Sequence, residues 1–338
     1  MKANKPVKKD KVVTMGEIML RLTPPDYAKI DQAYSFLANY GGGEANVAVS
    51  LSHLGHNCYF LTKLPPNDLG DTAIAHLRRH GVNTDYIVRG SSTLGVYFLE
   101  TGFGGRPGQV IYNRKHSSAT RMTPSDFDFD EIFKDATWFH LSGITLALSN
   151  SCRATCLAAL KAAKAHNVTV SFDFNYRSKL WSVEDAQRVY PDIMPYVDVL
   201  FASPWDFRTI LQYNRYADDD ELIKHAVEDY HLRFIYGKTR HIMSATEQSM
   251  QAFVYGDCGM KKTKEYKFQI FDRIGAGDAF ASGVIHGLTK DYKNAIGAAE
   301  FGLANSILKQ TIFGDVSTFS EAEVQEYLDN QGISEVKR

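Results

Sequence analysis

The sequence predicts an α/β fold in which helices flank both faces of a mainly parallel central sheet and a small β-sheet forms a lid. Two observations predict it. Short apolar runs alternate with helical patterns along most of the 338 residues, and repeated strand–helix units are typical of parallel sheets covered on both faces. Two segments, residues 21–40 and 94–115, break this rhythm with alternating β-type residues and no convincing helix. We expect these two segments to form the lid, a small second sheet over the edge of the main one; ordinary surface hairpins are the alternative, which the apolar character of both segments disfavours.

The elements of the central sheet follow one another in a regular order. A buried strand at 11–15 comes first, and the helix at 43–54 has apolar residues at helical spacing and ends at Gly55. Further strands are predicted at 58–62, 137–141, 168–173, 197–202 and 266–271, and further helices at 69–80, 150–166, 183–194, 279–288 and within 204–230.

This pattern divides the chain into a main unit, the lid and two tails. The main unit is expected to comprise residues 11–20, 41–93 and 116–330, and the tails residues 1–10 and 331–338. The amino-terminal segment is rich in lysine but has neither the apolar stretch nor the cleavage-type site of a signal peptide, so we expect a frayed tail.

Composition excludes several classes of function. Hydrophobic residues make up 44% and charged residues 23% of the chain, which is ordinary for a soluble globular protein. No apolar run reaches the roughly 18 residues of a transmembrane helix. The net charge of −1 gives no general reason to bind nucleic acid or an anionic membrane.

The four cysteines indicate a reducing compartment. Cys58, Cys152, Cys156 and Cys258 are too few and too irregularly spaced for a disulfide framework, which suits a cytoplasmic protein. Cys152 and Cys156 lie four residues apart on a predicted helix, but no histidine or further cysteine is near in sequence. We therefore interpret them as packing residues rather than zinc ligands.

The most informative motif is DRIGAGD at residues 272–278, between a predicted strand and a predicted helix. The amides of Gly275, Ala276 and Gly277 can face outward at the helix N-terminus, where the partial positive charge attracts anions. Asp278 follows directly. Phosphoryl transfer needs both features, because the amides stabilise the transferred group and a carboxylate takes the proton of the attacking hydroxyl. Alternatively, Asp278 caps a helix after a glycine-rich turn, and the spacing leaves both interpretations open.

A second motif, YGGGEAN, occupies residues 40–46. Its glycines allow a ligand to approach the backbone closely, and Asn46 in the first helical turn is expected to point back toward that loop. The motif lacks the spacing of a Walker loop or a dinucleotide fingerprint, which argues against both.

Together the two motifs resemble the signatures of the ribokinase-like (pfkB) carbohydrate kinases. The glycine pair with Asn46, Leu51 and Leu54-Gly55 is similar to the first signature, and residues 272–280 with Gly283 are similar to the second. The resemblance covers about residues 11–320. It implies a ribokinase-like fold, the use of ATP and Mg²⁺, and a possible homodimer through the lid strands.

Within this family the sequence most resembles the kinases of 2-keto-3-deoxygluconate. That resemblance rests on Gly16-Glu17, residues 40–46, 95–98, 112–114, 140–144 and 173–177, Leu180-Trp181, and Arg273 in place of the family's threonine. It implies ATP-dependent phosphorylation of the terminal hydroxyl to the 6-phosphate, with Asp278 as general base and Gly275, Ala276 and Gly277 as anion hole. The alternatives are another sugar kinase of the family, such as a fructokinase, or a catalytically weak sensor of sugar acids.

The resemblance also assigns substrate-binding residues. Gly42, Gly43 and Asn46 would hold the hydroxyl side of the sugar, Tyr97, Tyr112 and Arg114 would close from the lid, Arg177 would bridge acceptor and phosphates, and Asp315 would be a further contact. An arginine suits a substrate carboxylate because its planar fork pairs with that group. As alternatives, Arg114 and Arg177 are solvated or salt-bridged, and Asp315 is a loop carboxylate after a capping glycine.

The nucleotide half departs from the family pattern. The usual Asn-x-x-Glu is replaced by Ser203 to Asp206, and residues 244–249, SATEQS, lack both glycines of the usual ATP loop. ATP contacts are still expected at Ser244 and Thr246, and the remaining expected nucleotide contacts are Asn175, Ser203, Asp206, Gly275, Gly277 and Asn305. Asn305 would border the adenine or, alternatively, lie in solvent on a helix face.

Overall fold

The computed structural model describes residues 10–257 and 259–330, so the predicted tails lie outside the described residues apart from Asp10. The strands are β1 (Lys11–Met15), β2 (Met19–Thr23), β3 (Leu37–Gly41), β4 (Asn57–Leu64), β5 (Ile87–Arg89), β6 (Gly95–Glu100), β7 (Gln109–Asn113), β8 (Ala136–Ser142), β9 (Thr169–Asp173), β10 (Val199–Phe201), β11 (Phe234–Ile242), β12 (Glu247–Gly256), β13 (Gly259–Lys262) and β14 (Tyr266–Gln269). The helices are α1 (Gly43–His53), α2 (Asp68–Arg79), α3 (Phe129–Phe133), α4 (Gly143–Leu148), α5 (Asn150–Ala165), α6 (Val183–Ile193), α7 (Pro204–Thr209), α8 (Asp219–Tyr230), α9 (Ala276–Lys290), α10 (Ala295–Lys309) and α11 (Glu321–Asp329).

The larger sheet confirms the predicted fold class. Its strand order is β13-β12-β11-β10-β9-β8-β1-β4-β5, with β14 also paired to β12. Neighbours from β5 to β11 run parallel, whereas β12 pairs antiparallel with β11, β13 and β14. Apolar clusters cover both faces, one beneath α5 and α6 and one beneath α1, α9 and α10.

The smaller sheet lies in the two segments that break the strand–helix rhythm. Its order is β3-β2-β6-β7, and we call these four strands the lid sheet. Its pairings are antiparallel except that of β2 with β6. Met19 and Leu20 belong to it through β2, although the sequence pattern assigns them to the main unit.

Close helix packing fixes the position of α9. A Cβ on Gly283 would lie 2.7 Å from the Cα of Gly302 on α10, so the two helix backbones touch. The helix begins at Ala276 rather than at 279, and the predicted strand 266–271 ends at Gln269. The last residues of the DRIGAGD motif therefore form the first helical turn.

The structure also tests the expectations that the cysteines are packing residues and that the chain has no transmembrane helix. Cys58, Cys152 and Cys156 are buried in the two apolar clusters, as packing residues would be. None of the helices in the described ranges combines the length and apolarity needed to cross a bilayer.

Candidate active site

A cavity of about 610 Å³ lies where the lid sheet meets the carboxyl ends of β9 and β11 and the N-termini of α1 and α9. In parallel α/β sheets this edge is the usual place for ligands. The predicted residues that line it are Gly42, Gly43, Asn46, Tyr97, Tyr112, Arg114, Asn175, Arg177, Gly275, Ala276, Gly277, Asp278 and Asp315. The structure thus brings together most of the positions selected from sequence.

The N-terminus of α9 opens into this cavity. Gly275 adopts a left-handed conformation with φ of 80°, and a Cβ on it would lie 1.7 Å from the carbonyl oxygen of Asp315, so only glycine fits there. A Cβ on Gly277, by contrast, would meet nothing within 4 Å. Because the first amides of a helix have no intrahelical acceptor, the Gly277 backbone offers its N–H to the cavity as an anion site.

Asp278 lies at this helix end with its carboxylate held by a side chain. Its Oδ2 accepts a hydrogen bond from Asn46 Nδ2 at 2.7 Å, and Asn46 Oδ1 accepts from the Gly42 amide at 3.1 Å. The expectation that Asn46 points back toward the glycine loop is therefore confirmed. Among the described residues no backbone amide donates to the Asp278 carboxylate, and Gly275 occupies the N-cap position. The structure thus decides against the capping interpretation.

Charge and burial tune this carboxylate. Desolvation raises the pKa of Asp278 to about 6, while the hydrogen bond from Asn46 and the charge of Arg177 act in the opposite direction. A carboxylate with this pKa is ionised at neutral pH yet more basic than an exposed aspartate. It therefore suits a general base.

Two further ionisable groups adjoin Asp278. Asp173 ends β9, and desolvation together with the charge of Asp278 raises its pKa to about 7. Lys238 on β11 has its pKa lowered to about 8, mainly by burial. Its Nζ donates to the carbonyl oxygen of Ala276 at 3.4 Å and lies 4.5 Å from the centroid of the Phe280 ring. An ammonium group therefore stands beside the helix end that would hold an anion.

Arg114, the expected partner of a substrate carboxylate, is paired with a carboxylate of the chain. Its Nε donates to Glu17 Oε2 at 2.7 Å, and its Nη2 contacts the same oxygen. Ser117 donates to the other Glu17 oxygen, and the ring of Tyr112 lies 5.5 Å from the guanidinium carbon. The salt-bridged alternative thus describes the structure, in which a fixed Arg114–Glu17 pair lines the cavity.

Tyr97 and Asp315 line the cavity as a bonded pair. The Tyr97 hydroxyl donates to Asp315 Oδ2, and Arg21 donates to Asp315 Oδ1 at 2.7 Å. Burial raises the pKa of Asp315, and Arg21 opposes that shift. Asp315 is therefore more than a loop carboxylate after Gly314, since it connects the lid sheet to the wall of the cavity.

A second cavity of about 350 Å³ adjoins the first. The residues common to both are Asp173, Asn175, Arg177, Lys238 and Gly277. The second adds Ser203 and Asp206, which form a capping box at the start of α7. Asp206 Oδ2 accepts both from the Ser203 amide at 2.8 Å and from its hydroxyl at 2.7 Å, and Oδ1 accepts no hydrogen bond from the residues that the structure describes.

Asn175 stands between the two cavities in a strained conformation. Its φ of 39° lies in the left-handed region, where a non-glycine residue costs about 1–3 kcal/mol. Its amide donates to Asp173 Oδ1 at 3.1 Å. Such strain is common at ligand sites. Here the conformation of Asn175 turns the backbone so that Arg177 also lines the cavity.

Three expected nucleotide contacts are placed elsewhere. Ser244 and Thr246 lie in the turn between β11 and β12, where the Thr246 amide donates to Ser244 Oγ at 3.1 Å, and neither is among the residues that line the two cavities. Asn305 is fully buried. Its Nδ2 donates to the Ala279 carbonyl at 2.8 Å, and its Oδ1 accepts from Ser317 at 2.6 Å. The solvated interpretation of Asn305 is wrong, and the residue packs α10 against α9 away from both cavities.

Five charged residues that line the main cavity have no site role assigned from the sequence. Glu17, Asp173 and Arg273 only contribute to the family resemblance, and Lys238 and Arg240 belong to no motif. Lys238 and Arg240 are two apart on β11 and so share one face of the strand. The sequence alone shows this alternation, but only the pairing of β11 with β10 brings the two side chains to the cavity.

The chain is similar to known proteins over most of its length. Residues 9–311 match the pfkB family of carbohydrate kinases. The 2-dehydro-3-deoxygalactonokinase of Haloferax volcanii is 34% identical over 317 residues, which cover 94% of this chain and 96% of that relative.

Solved structures are similar as well. The crystal structure of 2-dehydro-3-deoxygluconokinase from Thermotoga maritima is 42% identical with a TM-score of 0.90, and the match covers 94% of this chain and 98% of that one. A fructokinase from Xylella fastidiosa with bound ATP is 21% identical with a TM-score of 0.78, over 96% of this chain and 100% of that one. The second likeness shows the fold alone.

Proposed function

Because the chain belongs to the pfkB family of carbohydrate kinases, we propose that it transfers the terminal phosphoryl group of ATP to the terminal hydroxyl of 2-keto-3-deoxygluconate, giving the 6-phosphate. One observation carries the proposal. The Asp278 carboxylate, held by Asn46, stands at the open N-terminus of α9 in a cavity lined by cations. The names of the relatives from Thermotoga maritima and Haloferax volcanii support a 2-keto-3-deoxy sugar acid as the acceptor.

The chemistry follows from the groups at this helix end. Asp278 takes the proton of the acceptor hydroxyl as that oxygen attacks phosphorus. The amides of Gly275, Ala276 and Gly277 would stabilise the charge on the transferred group, because fixed backbone donors need no reorganisation. Of the three, the Ala276 amide also makes a long bond of 3.4 Å to the Arg273 carbonyl. Lys238 and Arg177 add positive charge on the side of the second cavity, which favours the transition state over the separated reactants.

The second cavity fits the phosphates of ATP with Mg²⁺. Its lysine, arginine and helix amides suit phosphate oxygens. Mg²⁺ is usually held by phosphates and water with one or two carboxylates, and Asp206 through its Oδ1 and Asp173 would supply them. When bound, ATP with Mg²⁺ provides the phosphoryl group and neutralises part of its charge. Ser203 and Asn175 would complete this half of the site.

The acceptor half suits a sugar acid. We propose that Gly42, Gly43, Asn46 and Asp315 face the hydroxyls, and that Tyr97 and Tyr112 cover the sugar from the lid sheet. Arg114 would hydrogen-bond the carboxylate with the edge of the guanidinium that Glu17 leaves open. Glu17 thereby fixes the plane of Arg114, which lowers the entropy cost of binding.

A homodimer through the lid sheet is part of the proposal. Leu37 and Ile111, on the edge strands β3 and β7, each expose 46% of their surface, and Phe36 exposes 37%. Exposed apolar edge strands pair readily with another chain. Sedimentation equilibrium should show a dimer that Ile111→Lys weakens, and a parent chain that sediments as a monomer would contradict this.

The function is tested by measuring ADP release from purified protein with a panel of acceptors. The panel contains 2-keto-3-deoxygluconate, its galactonate-derived epimer, gluconate, fructose and ribose. We expect turnover with the keto-deoxy acids and little with the neutral sugars. Preference for fructose or ribose would make the chain a different sugar kinase, and binding of the acids without turnover would make it a sensor.

A further inference from the structure

The guanidinium of Arg21 joins the lid sheet to two segments of the main unit. Arg21 lies on β2 and is wholly buried. Its Nε donates to Thr23 Oγ1 at 2.8 Å on the same strand. Its Nη1 and Nη2 reach across to Asp315 at 2.7 Å and to Asp272 at 2.6 Å. The planar guanidinium group therefore connects strand β2 with the segments that carry Asp272 and Asp315.

Both carboxylates that Arg21 contacts hold pieces of the candidate active site. Asp272 Oδ1 accepts from the Ile274 amide at 3.1 Å, which fixes the turn just before Gly275. Asp272 Oδ2 also accepts from the Gly314 amide at 3.0 Å. Asp315 accepts from Tyr97 in the cavity wall. Arg21 does not line the cavity itself, and it acts only through these partners.

The two segments are in direct contact beyond the ion pairs. The space for a Cβ on Gly275 is filled by the Asp315 carbonyl oxygen, 1.7 Å away. A shift of the 314–315 segment therefore moves the turn that presents the anion-hole amides. Lys309, also buried, donates to the Asp272 carbonyl at 2.9 Å, so two cations balance two carboxylates and the group can remain charged inside the protein.

We propose that Arg21 is a positioning residue that makes the anion hole depend on the docked lid sheet, so that acceptor and nucleotide bind cooperatively. The proposal rests on the proposed kinase function. An acceptor that contacts Tyr97 and Asp315 orders the same charge network that holds the 272–275 turn. The amides are then already in place when a nucleotide binds, so the protein loses less conformational entropy in that step. Linkage requires the reverse effect of equal size.

The test is the affinity for a non-hydrolysable ATP analogue with Mg²⁺, measured by calorimetry with and without saturating 2-keto-3-deoxygluconate. In the parent enzyme we expect the acceptor to tighten analogue binding about 5–150-fold, the usual range of such coupling. Arg21→Lys keeps the charge but lacks the planar fork, so it cannot bridge both carboxylates. Its coupling should fall to within about twofold of unity.

Arg106→Lys is the matched control. Arg106 also belongs to the lid region, where it donates to Glu100 Oε1 at 2.8 Å and to the Tyr27 carbonyl at 2.5 Å, but it has no bond to the 272–278 turn. Its coupling should equal that of the parent. A loss of equal size in both variants would mean general loosening of the lid and would overturn the specific role of Arg21.

Other outcomes also decide the question. Parent-like coupling in Arg21→Lys, or no coupling in the parent, refutes the proposal. If Arg21→Lys does not fold, Asp272→Asn keeps an oxygen to accept from the Ile274 amide but places an NH2 group where Arg21 Nη2 contacts Asp272 Oδ2, and unchanged coupling in that variant refutes it as well. Failure of the kinase assignment is seen separately, as absent turnover of sugar acids by the parent, and the coupling is then measured with the acceptor that does react.

Discussion

The molecule contains two sets of buried or cavity-facing cations that differ in their partners. The members of one set have ion pairs with carboxylates of the chain: Arg21, which is buried behind the cavity wall, and Arg114, which lies in that wall. The other set lines the cavity, and in the part of the chain that the structure describes none of its members has an ion pair: Arg177, Lys238, Arg240 and Arg273.

The difference distinguishes cations that are neutralised within the protein from cations that are available to bind an anionic ligand. A cation removed from water is costly unless an anion accompanies it, so the paired set is complete in the protein alone. The unpaired set surrounds Asp278 and the open end of α9, where a nucleotide and a sugar acid would bring the missing negative charge. We therefore expect changes in the unpaired set to alter kinetics, and changes in the paired set to alter stability or substrate positioning.

Replacing the carboxylate that the unpaired cations surround should have the largest effect. Asp278→Asn keeps the shape and the hydrogen bond with Asn46 but cannot accept a proton. Turnover should fall by roughly 10²–10⁴-fold, the range for loss of a general base, with ATP-analogue affinity and melting temperature nearly unchanged. Asp71→Asn, at an exposed carboxylate paired with Arg89, is the control and should match the parent. Turnover of Asp278→Asn within a few-fold of the parent would reject Asp278 as the base.

Lys238 tests the unpaired set itself. Lys238→Met keeps the length of the side chain and removes its charge beside the anion site, so kcat should fall by about 10²–10³-fold, as for other lost charge-stabilising donors. Lys63→Met removes a lysine that is paired with Asp126 at 2.9 Å and lies away from the cavity, and its kcat should be unchanged. Equal effects of the two substitutions on kcat would contradict the claim that unpaired cavity cations contribute more to catalysis than paired ones.

The positions of the proposed acceptor residues in the cavity could be predicted from sequence where the signals are local. Glycines before a helix and a carboxylate in the first turn have the same meaning wherever the chain places them. Asn46 and Asp278 each come from such a motif, and the fold brings their side chains to 2.7 Å.

The nucleotide half depends on contacts that no local pattern shows. Lys238 and Arg240 gain their place from the pairing of β11 with β10 and β12. Asn305 resembles a polar residue on an exposed helix face, but α10 is covered on both sides. Likewise, nothing near Arg114 in sequence indicates that Glu17, 97 residues earlier, is its partner.

Arg114 tests the paired set at the acceptor side. Arg114→Ala should mainly raise the KM for the keto acid and leave that for ATP nearly unchanged, with a loss of about 2–4 kcal/mol in kcat/KM for one charge-assisted contact. It should also lower the melting temperature, because Glu17 stays buried without its cation. The double variant Glu17→Gln/Arg114→Ala should recover stability but not the KM. A raised KM for ATP instead would reject the carboxylate role of Arg114.

The smallest expected effect is the dependence of kcat/KM on pH, and it comes from the unpaired set and its neighbours. Asp278 must be ionised to act as base, and its raised pKa of about 6 is coupled to that of Asp173 at about 7. Activity should therefore fall about tenfold per pH unit as the pH drops below this pair of values.

The alkaline limb of the same profile isolates Lys238. Its ammonium must be charged, and since burial lowers its pKa to about 8, activity should also decline as the pH rises above that value. Lys238→Arg keeps a charge whose pKa exceeds 12, so its alkaline limb should move upward while the acid limb stays in place. An alkaline limb that is identical in parent and Lys238→Arg would assign that limb to another group.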